Sequence, residues 1–296
     1  MTLSRRTFGL TASALGASLI APAARAQMAP RQAPTAQQVV DRIWQRYAEE
    51  GVVRRANTVD VFKVGDPNTR VTGIATVFMS TWDVLKKAKA AGLNMVITHE
   101  PTFYSHQEDL KAYDNLDHAE YDRKHKWIVD NGLVVWRAHD HWHARNPEPM
   151  QTSWVNRIGW ANFQTAPGRW TLPPTTLGEL AKQVQTRLNT RNIRVVGDPA
   201  MKVRTVGRGG HLGAQSLNAA LSSDVIVVSE GREFDAFEFI RDCNELGLPK
   251  GLLMHAHEQG EEQGMQVAES WVASIAPEVP VRYIPTPETF WIPGKV

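Results

Sequence analysis

Between Val71 and Ile284 short β-branched runs alternate with amphipathic runs of ten to fourteen residues, and this alternation restricts the fold more than any other feature of the chain. The runs Val71–Val77, Met95–Thr98 and Leu133–Ala138 read as strands, as do Ile193–Val196, Val203–Val206, Asp224–Val228, Leu252–Met254 and Val279–Ile284. Helices are predicted at Val39–Tyr47, from a capping box at Ser80 and Asp83 to Ala91, over His118–Asp130, and from a capping box at Thr176 and Glu179 to Asn189. Further helices fall at Ala214–Leu221, Glu233–Leu246 and Glu262–Ile275, the second of these closed by Gly247. Strands separated by helices of this length are the signature of βαβ units, so the predicted class is α/β. A Trp/Pro-rich stretch, Asn146–Pro174, divides the pattern into two lobes of about 37–165 and 166–296, and Trp154, Trp160 and Trp170 keep it packed. At 42% apolar residues over 296 positions, with a single cysteine, the chain has core material without a disulfide framework.

Residues 1–26 carry the marks of export. Arg5 and Arg6 open a twin-arginine motif, an apolar small-residue stretch runs from Leu10 to Ala23, and Ala24-Arg25-Ala26 is an A-x-A cleavage pattern. The stretch is shorter than the roughly 20 residues of a membrane span and ends in the cleavage pattern, so it reads as a removed signal rather than an anchor. The expected location is the periplasm or the exterior, with no membrane span after cleavage. Residues 27–36 form a flexible leader, and 37–296 the folded part. Loss of Arg5, Arg6 and Arg25 takes the 33 basic residues just below the 31 acidic ones, a balance that gives no reason to expect nucleic acid as a partner. The twin-arginine route carries folded proteins, many of them already loaded with a metal or cofactor.

The histidines are placed where such a cargo would bind. His99-Glu100, the run His139-Asp140-His141-Trp142-His143 and the run His255-Ala256-His257 each lie just past a predicted strand, at the edge where open α/β sheets hold ligands. If the chain is extended there, His139, His141 and His143 share one side, as do His255 and His257. Glu261 comes four residues after His257, within reach if a helix begins between them. Imidazole and carboxylate together suit zinc, manganese, iron, cobalt or nickel. Converging without a cation, they would be poorly solvated or repel. His106, His118, His125 and His211 read instead as packed or surface residues. Two features take their ordinary structural meaning. The glycine-rich turn Gly207–Gly213 could cradle an anion with backbone N–H groups, but it lacks the lysine and Ser/Thr of a P-loop and reads rather as a tight strand–helix turn. The tryptophans, Trp136, Trp142 and Trp154 among them, could line a pocket but read rather as core or subunit interface.

Several of these motifs, taken together, carry a resemblance. Gly65-Asp66-Pro67, Val71-Thr72-Gly73-Ile74-Ala75-Thr76, Thr98-His99-Glu100-Pro101, Arg194–Asp198, Val206–Gly210, Asp224–Glu230 and His257-x-x-x-Glu261 occur in the order found in the Nif-three-like family. This is the NGG-interacting-factor-three group, also described as GTP cyclohydrolase type 2-like or dinuclear metal-centre hexameric proteins. The resemblance implies a two-lobed α/β fold with mixed sheets flanked by helices, a homo-oligomer such as a hexameric ring, and one or two divalent ions per subunit. It implies His99, His257 and Glu261 as metal ligands by position. Glu100 stands where the family has a second histidine, and His143 where it has an aspartate, so three imidazoles and two carboxylates remain. An imidazole cannot bridge two ions as that aspartate can, which leaves one ion, or two held mainly by Glu261 or Glu100. His139 keeps its motif position and is expected behind the ligands or in proton transfer, with Asp140, His141 and His255 left open as ligands.

The leading functional expectation is a metal-dependent hydrolase in which Glu100, Glu261 or His139 handles a proton, acting on a small molecule whose identity the sequence does not give. The competing expectation is a non-catalytic metal-binding or metal-handling oligomer. A third makes the exchanged residues a loss of function. GTP cyclohydrolysis fits poorly with export to a compartment where GTP is scarce.

Overall fold

The computed structural model describes residues 32–108, 119–210 and 213–293. The twin-arginine segment, the leader up to residue 31, His118 and His211 lie outside the described residues.

Helix α1 (Ala36–Glu49) starts at a capping box in which Thr35 Oγ1 accepts from Gln38 N at 3.2 Å and Thr35 N donates to Gln38 Oε1 at 2.9 Å. Its Val39, Val40, Ile43 and Tyr47 fall on one stripe and are buried against a five-stranded sheet. That sheet comprises β1 (Phe62–Val64), β2 (Ile74–Met79), β3 (Met95–Glu100), β4 (Val134–Arg137) and β11 (Val281–Tyr283), in the order β1-β4-β3-β2-β11. Only β1 runs antiparallel to its neighbour. The central strands are apolar on both faces because both faces are covered. Ile74, Ile97, Val134 and Trp136 join the cluster under α1 and α9 (His257–Ile275), while Ala75, Val77, Val96 and Val135 pack beneath α2 (Trp82–Ala90) and α3 (Ala119–Asp130). Each fully buried valine or isoleucine among these stabilises the fold by about 1.5–3 kcal/mol.

The second sheet has six strands, β5 (Gln164–Ala166), β6 (Arg169–Thr176), β7 (Arg194–Val196), β8 (Lys202–Arg208), β9 (Val225–Val228) and β10 (Gly251–Met254), in the order β5-β6-β8-β9-β10-β7. It too is mixed, with β8, β9 and β10 parallel. One face lies under α5 (Pro149–Ile158) and α6 (Leu177–Leu188), and the other under α7 (Gly213–Leu221) and α8 (Glu238–Glu245). Trp154, Trp160 and Trp170 meet edge-on or tilted, with ring centroids 5.7–6.0 Å apart, as a core cluster. The two mixed sheets with flanking helices match the expected fold class.

Four local expectations are corrected. The cap of α2 is Thr81, whose hydroxyl accepts from Val84 N, whereas Ser80 Oγ bonds Thr102. The Trp/Pro-rich stretch contains α5, with Pro149 in its first turn, where a missing N–H costs nothing, and Glu148 as its cap. The run after β4 is not extended but forms a four-residue helix, α4 (Asp140–His143). Helix α9 begins at His257 rather than Glu262. Its glycines, poor helix formers in isolation, are there for packing: a Cβ at Gly264 would sit 1.9 Å from Met150 Sδ and 3.0 Å from Met150 Cα of α5.

Candidate metal centre

The C-terminal ends of β3 and β4 face those of β9 and β10, and the imidazoles and carboxylates collect where they meet. His99 is the penultimate residue of β3 and is fully buried. Its Nδ1 pairs with the carbonyl of Ala138 at 3.0 Å, which leaves Nε2 pointing inward. Glu100 follows and is held by Arg137, the last residue of β4, at 3.4 Å. Arg137 is itself buried, donating to the carbonyls of His99 at 2.9 Å and His106 at 2.5 Å, with Glu108 at 3.7 Å. A guanidinium has five donors to satisfy, and this one fixes two carboxylates and two carbonyls at the sheet edge.

His139 and His143 owe their placement to Asp60, a residue singled out by no motif. The Asp60 carboxylate accepts from the backbone N–H groups of His139 (2.8 Å), Asp140 (2.9 Å) and His141 (2.9 Å). These are the first N–H groups of α4, which has no side-chain cap of its own. The helical turn puts His139 and His143 on one side and His141 on the other. His141 Nδ1 pairs with Asp60 Oδ2 at 2.7 Å, its Nε2 accepts from Arg55 N at 3.0 Å, and its ring lies edge-on to Trp44. His141 is therefore a core residue, and the expectation of three histidines on one side fails because the backbone is helical.

Each of the two site-facing rings of this run has a carboxylate behind it. His139 Nδ1 contacts Asp140 Oδ1 at 2.9 Å, and Asp140 is braced by Thr58 and Val59 N. Asp140 thus turns away from the centre. Burial and the neighbouring imidazoles of His99 and His143 hold His139 neutral, with its pKa down to about 3. Burial works against the charge of Asp140, but its hydrogen bonds with His139, Thr58 and Val59 outweigh it and bring the pKa to about 2. His143 Nδ1 contacts Glu148 Oε1 at 3.1 Å, and Glu148 also caps α5 through Met150 N and Gln151 N. Burial disfavours a charged His143, yet Glu148 and Glu261 together raise its pKa.

The opposite wall comes from α9. His257 and Glu261 occupy successive turns, with Nε2 and Oε2 3.0 Å apart. Glu261 is 2% exposed and its Oε2 also lies 3.4 Å from His99 Nε2. Despite the cost of burying its charge, Glu261 stays well below the usual carboxylate range because His257 and His99 face it. The same carboxylates, Glu261 first, then Glu100 and Glu230, overcome desolvation and raise His257 to about 9. His255 stands apart: its Nδ1 pairs with the Ala256 carbonyl at 2.9 Å and its ring packs on Trp154.

The donor spacing suits a cation. Glu100 Oε1 lies 4.0, 3.8 and 3.7 Å from the Nε2 atoms of His99, His139 and His257. Donors bound at about 2.1 Å to one tetrahedral ion sit roughly 3.4 Å apart. His99 Nε2 is buried without a well-formed hydrogen bond, facing Glu261 Oε2 at 3.4 Å and Glu100 Oε1 at 4.0 Å, an arrangement that a cation between them would satisfy. Among the described residues three groups offer donors mutually within 4.8 Å: His99, His139 and His143; His99, Glu100 and Glu261; and His106, His139 and Asp140. His106, read from sequence as a packed or surface residue, has its ring 5.0 Å from that of His139. The centre opens into a cleft of about 1310 Å³ whose walls include Trp82, Lys124, Glu148, Arg208, Gly210 and Glu230. Gly207 and Gly209 serve close packing, since a Cβ at either would meet Ser223 or Val228 within 2.7 Å. Trp136, Trp142 and Trp154 are buried in the core, away from the cleft.

Comparison with known proteins agrees with this architecture. The chain is 22% identical over 199 residues to a GTP cyclohydrolase 1 type 2 homolog of Clostridium perfringens, an alignment covering 62% of this chain and 72% of that one. The crystal structure of a Bacillus cereus protein related to NIF3 superposes with a TM-score of 0.66 at 13% identity, over 85% of this chain and 96% of the other. The crystal structure of TTHA1606 from Thermus thermophilus gives 0.61 at 14% identity, over 85% and 98%. The model for the Duf34/NIF3 (NGG1p interacting factor 3) family matches residues 60–287, which span the strand tips, the helix starts and all the donors described above, and the chain belongs to that family.

Proposed function

We propose that the protein is an exported, divalent-metal-binding homo-oligomer that acts as a metal-dependent hydrolase on a small molecule. The observation that supports this reading is the single oxygen of Glu100 facing three imidazole nitrogens at 3.7–4.0 Å on the floor of an open cleft. His99, Glu100, His143, His257 and Glu261 are the residues that would hold an ion, and their mixed nitrogen and oxygen donors suit zinc, manganese, iron, cobalt or nickel. Such an ion supplies Lewis acidity, which polarises a substrate oxygen and lowers the pKa of water.

The remaining work falls to the chain itself. Arg137 fixes one carboxylate oxygen of Glu100 and leaves the other directed at the imidazoles, where it either ligates the ion or, when left off it, takes a proton at the cleft floor. Glu230 lies 3.8 Å from His257 Nδ1 at the cleft wall, where its charge helps to orient that ring. Burial of Glu261 and His99 keeps water from screening these charges.

The test is elemental analysis of the purified full chain, then phosphoester, amide and cyclic-nucleotide substrates assayed with and without a chelator. The expected result is a turnover lost on chelation, restored by metal, and abolished in His257→Ala. Turnover indifferent to chelator or to that substitution overturns the hydrolase reading. A metal-loaded chain inert to every substrate favours metal handling instead.

A further inference from the structure

Three histidines of this centre share a feature that neither His257 nor the carboxylates have. His99, His139 and His143 each commit Nδ1 to an oxygen, the carbonyl of Ala138 at 3.0 Å, the carboxylate of Asp140 at 2.9 Å and that of Glu148 at 3.1 Å. With Nδ1 donating its proton, the lone pair of a neutral ring resides on Nε2, the arrangement that fixes a histidine as a metal ligand. The three ring centroids form a nearly equilateral triangle of 4.6, 4.8 and 4.9 Å, and one donor nitrogen of each ring lies within 4.8 Å of the other two. His257 differs: its Nε2 is paired with Glu261 at 3.0 Å and its Nδ1 faces Glu230 at 3.8 Å.

We propose that His139 is itself a metal ligand, and that His99, His139 and His143 form a three-histidine site that takes up the first ion, leaving Glu100, His257 and Glu261 as the acidic wall beside it. This rests on the metal-binding reading above but reassigns His139, which the sequence pattern casts as a supporting or proton-transfer residue. The exchange at position 143 then has a chemical meaning. An imidazole there, oriented by Glu148, completes a nitrogen-only set, and three protein nitrogens with a fourth position open is a ligand set found in catalytic zinc sites. Such a set selects zinc, cobalt, nickel or copper over manganese and magnesium. His99 has only one free nitrogen, so it serves this ion and no other.

The experiment is zinc K-edge X-ray absorption on the full chain loaded with one equivalent of Zn²⁺, counting imidazoles per ion. The wild type is expected to show three, His139→Ala two, and His257→Ala three. Zinc should also outcompete manganese at one equivalent by more than a hundredfold. A count unchanged in His139→Ala, or lowered in His257→Ala, overturns the assignment. Should His139→Ala fail to fold, as judged by circular dichroism, the His257→Ala count decides alone, since a site built on His99, His143 and His257 falls to two. No zinc retained by the wild type at any loading sinks the metal-binding reading as a whole. Zinc bound with the wrong count sinks only the three-histidine site.

Discussion

Two helix starts present residues to the centre at the same i, i+4 spacing, and they reach that geometry by different means. At α4, His139 and His143 are separated by one turn of a four-residue helix, far below the length at which helices hold themselves together. Its order comes from one carboxylate, Asp60, that gathers three backbone N–H groups and one imidazole. At α9, His257 and Glu261 open a nineteen-residue helix whose cap residue, Ala256, offers no side chain to the backbone. Its register is set by packing, with Gly264 against Met150 and Met265, Ala268 and Val272 in the core. One half of the site is positioned by electrostatics concentrated in a single residue, the other by steric fit spread over many. They should fail differently.

The largest effect is expected at Asp60. Asp60→Ala strands three backbone donors and His141 in a buried place, at a cost of about 4 kcal/mol in urea unfolding and a loss of metal affinity of at least tenfold. If stability and affinity both survive, the electrostatic account of α4 is wrong. On the packing side, Gly264→Leu must displace Met150 and is expected to cost about 3 kcal/mol, with a smaller effect on metal affinity because the first turn of α9 lies a turn away. A loss of affinity larger than the loss of stability would show that α9 is not the steric element described.

Smaller substitutions sharpen the contrast. Glu148→Gln keeps most of the cap on α5 but weakens the anchor of His143, and is expected to lower metal affinity by about tenfold while changing stability by less than about 1 kcal/mol. The smallest effect is a single proton. His257, at about 9, is charged at neutral pH without metal, whereas His139, at about 3, is not. Filling the acidic wall should therefore release a proton from α9 and none from His139, so apparent affinity should rise as pH approaches 9. Calorimetry in buffers of differing ionisation heat reads this directly. In the metal-free chain the sign for stability is opposite. The folded pKa of His257 lies above its ordinary 6.5, so the stabilisation is complete below that value and fades as pH climbs through 9, which thermal melts across that window will reveal.

The same contrast explains what the amino-acid sequence disclosed. Strand-end positions for His99 and His257, the four-residue step to Glu261 and the pairing of Thr176 with Glu179 depend on residues near one another in the chain, and all are legible there. The turn at His139 is not. Val134–Arg137 reads as a strand that ought to continue, and what bends it is a carboxylate about eighty positions earlier, beyond the reach of any local rule. Helix α5 was obscured by Pro147 and Pro149, which look like breakers until one is seen in the first turn. The true start of α9 was obscured by Gly260 and Gly264, whose reason for being glycine lies in the atoms of His255 and Met150. His106 offered no local signal, since its approach to His139 is made by the sheet edge.

The place of β11 has a consequence for how the molecule is made. This strand, Val281–Tyr283, lies on the outer edge of the first sheet, beside β2, and α9 packs on that strand as well. During synthesis the ribosome therefore releases α1 to β4 long before their sheet has its final strand or one of its covering helices. The whole second sheet emerges in between. The half of the centre built on His99 and His143 waits, unlidded, for α9, which is translated only after the second sheet, so the pocket closes only once His257–Ile275 has emerged.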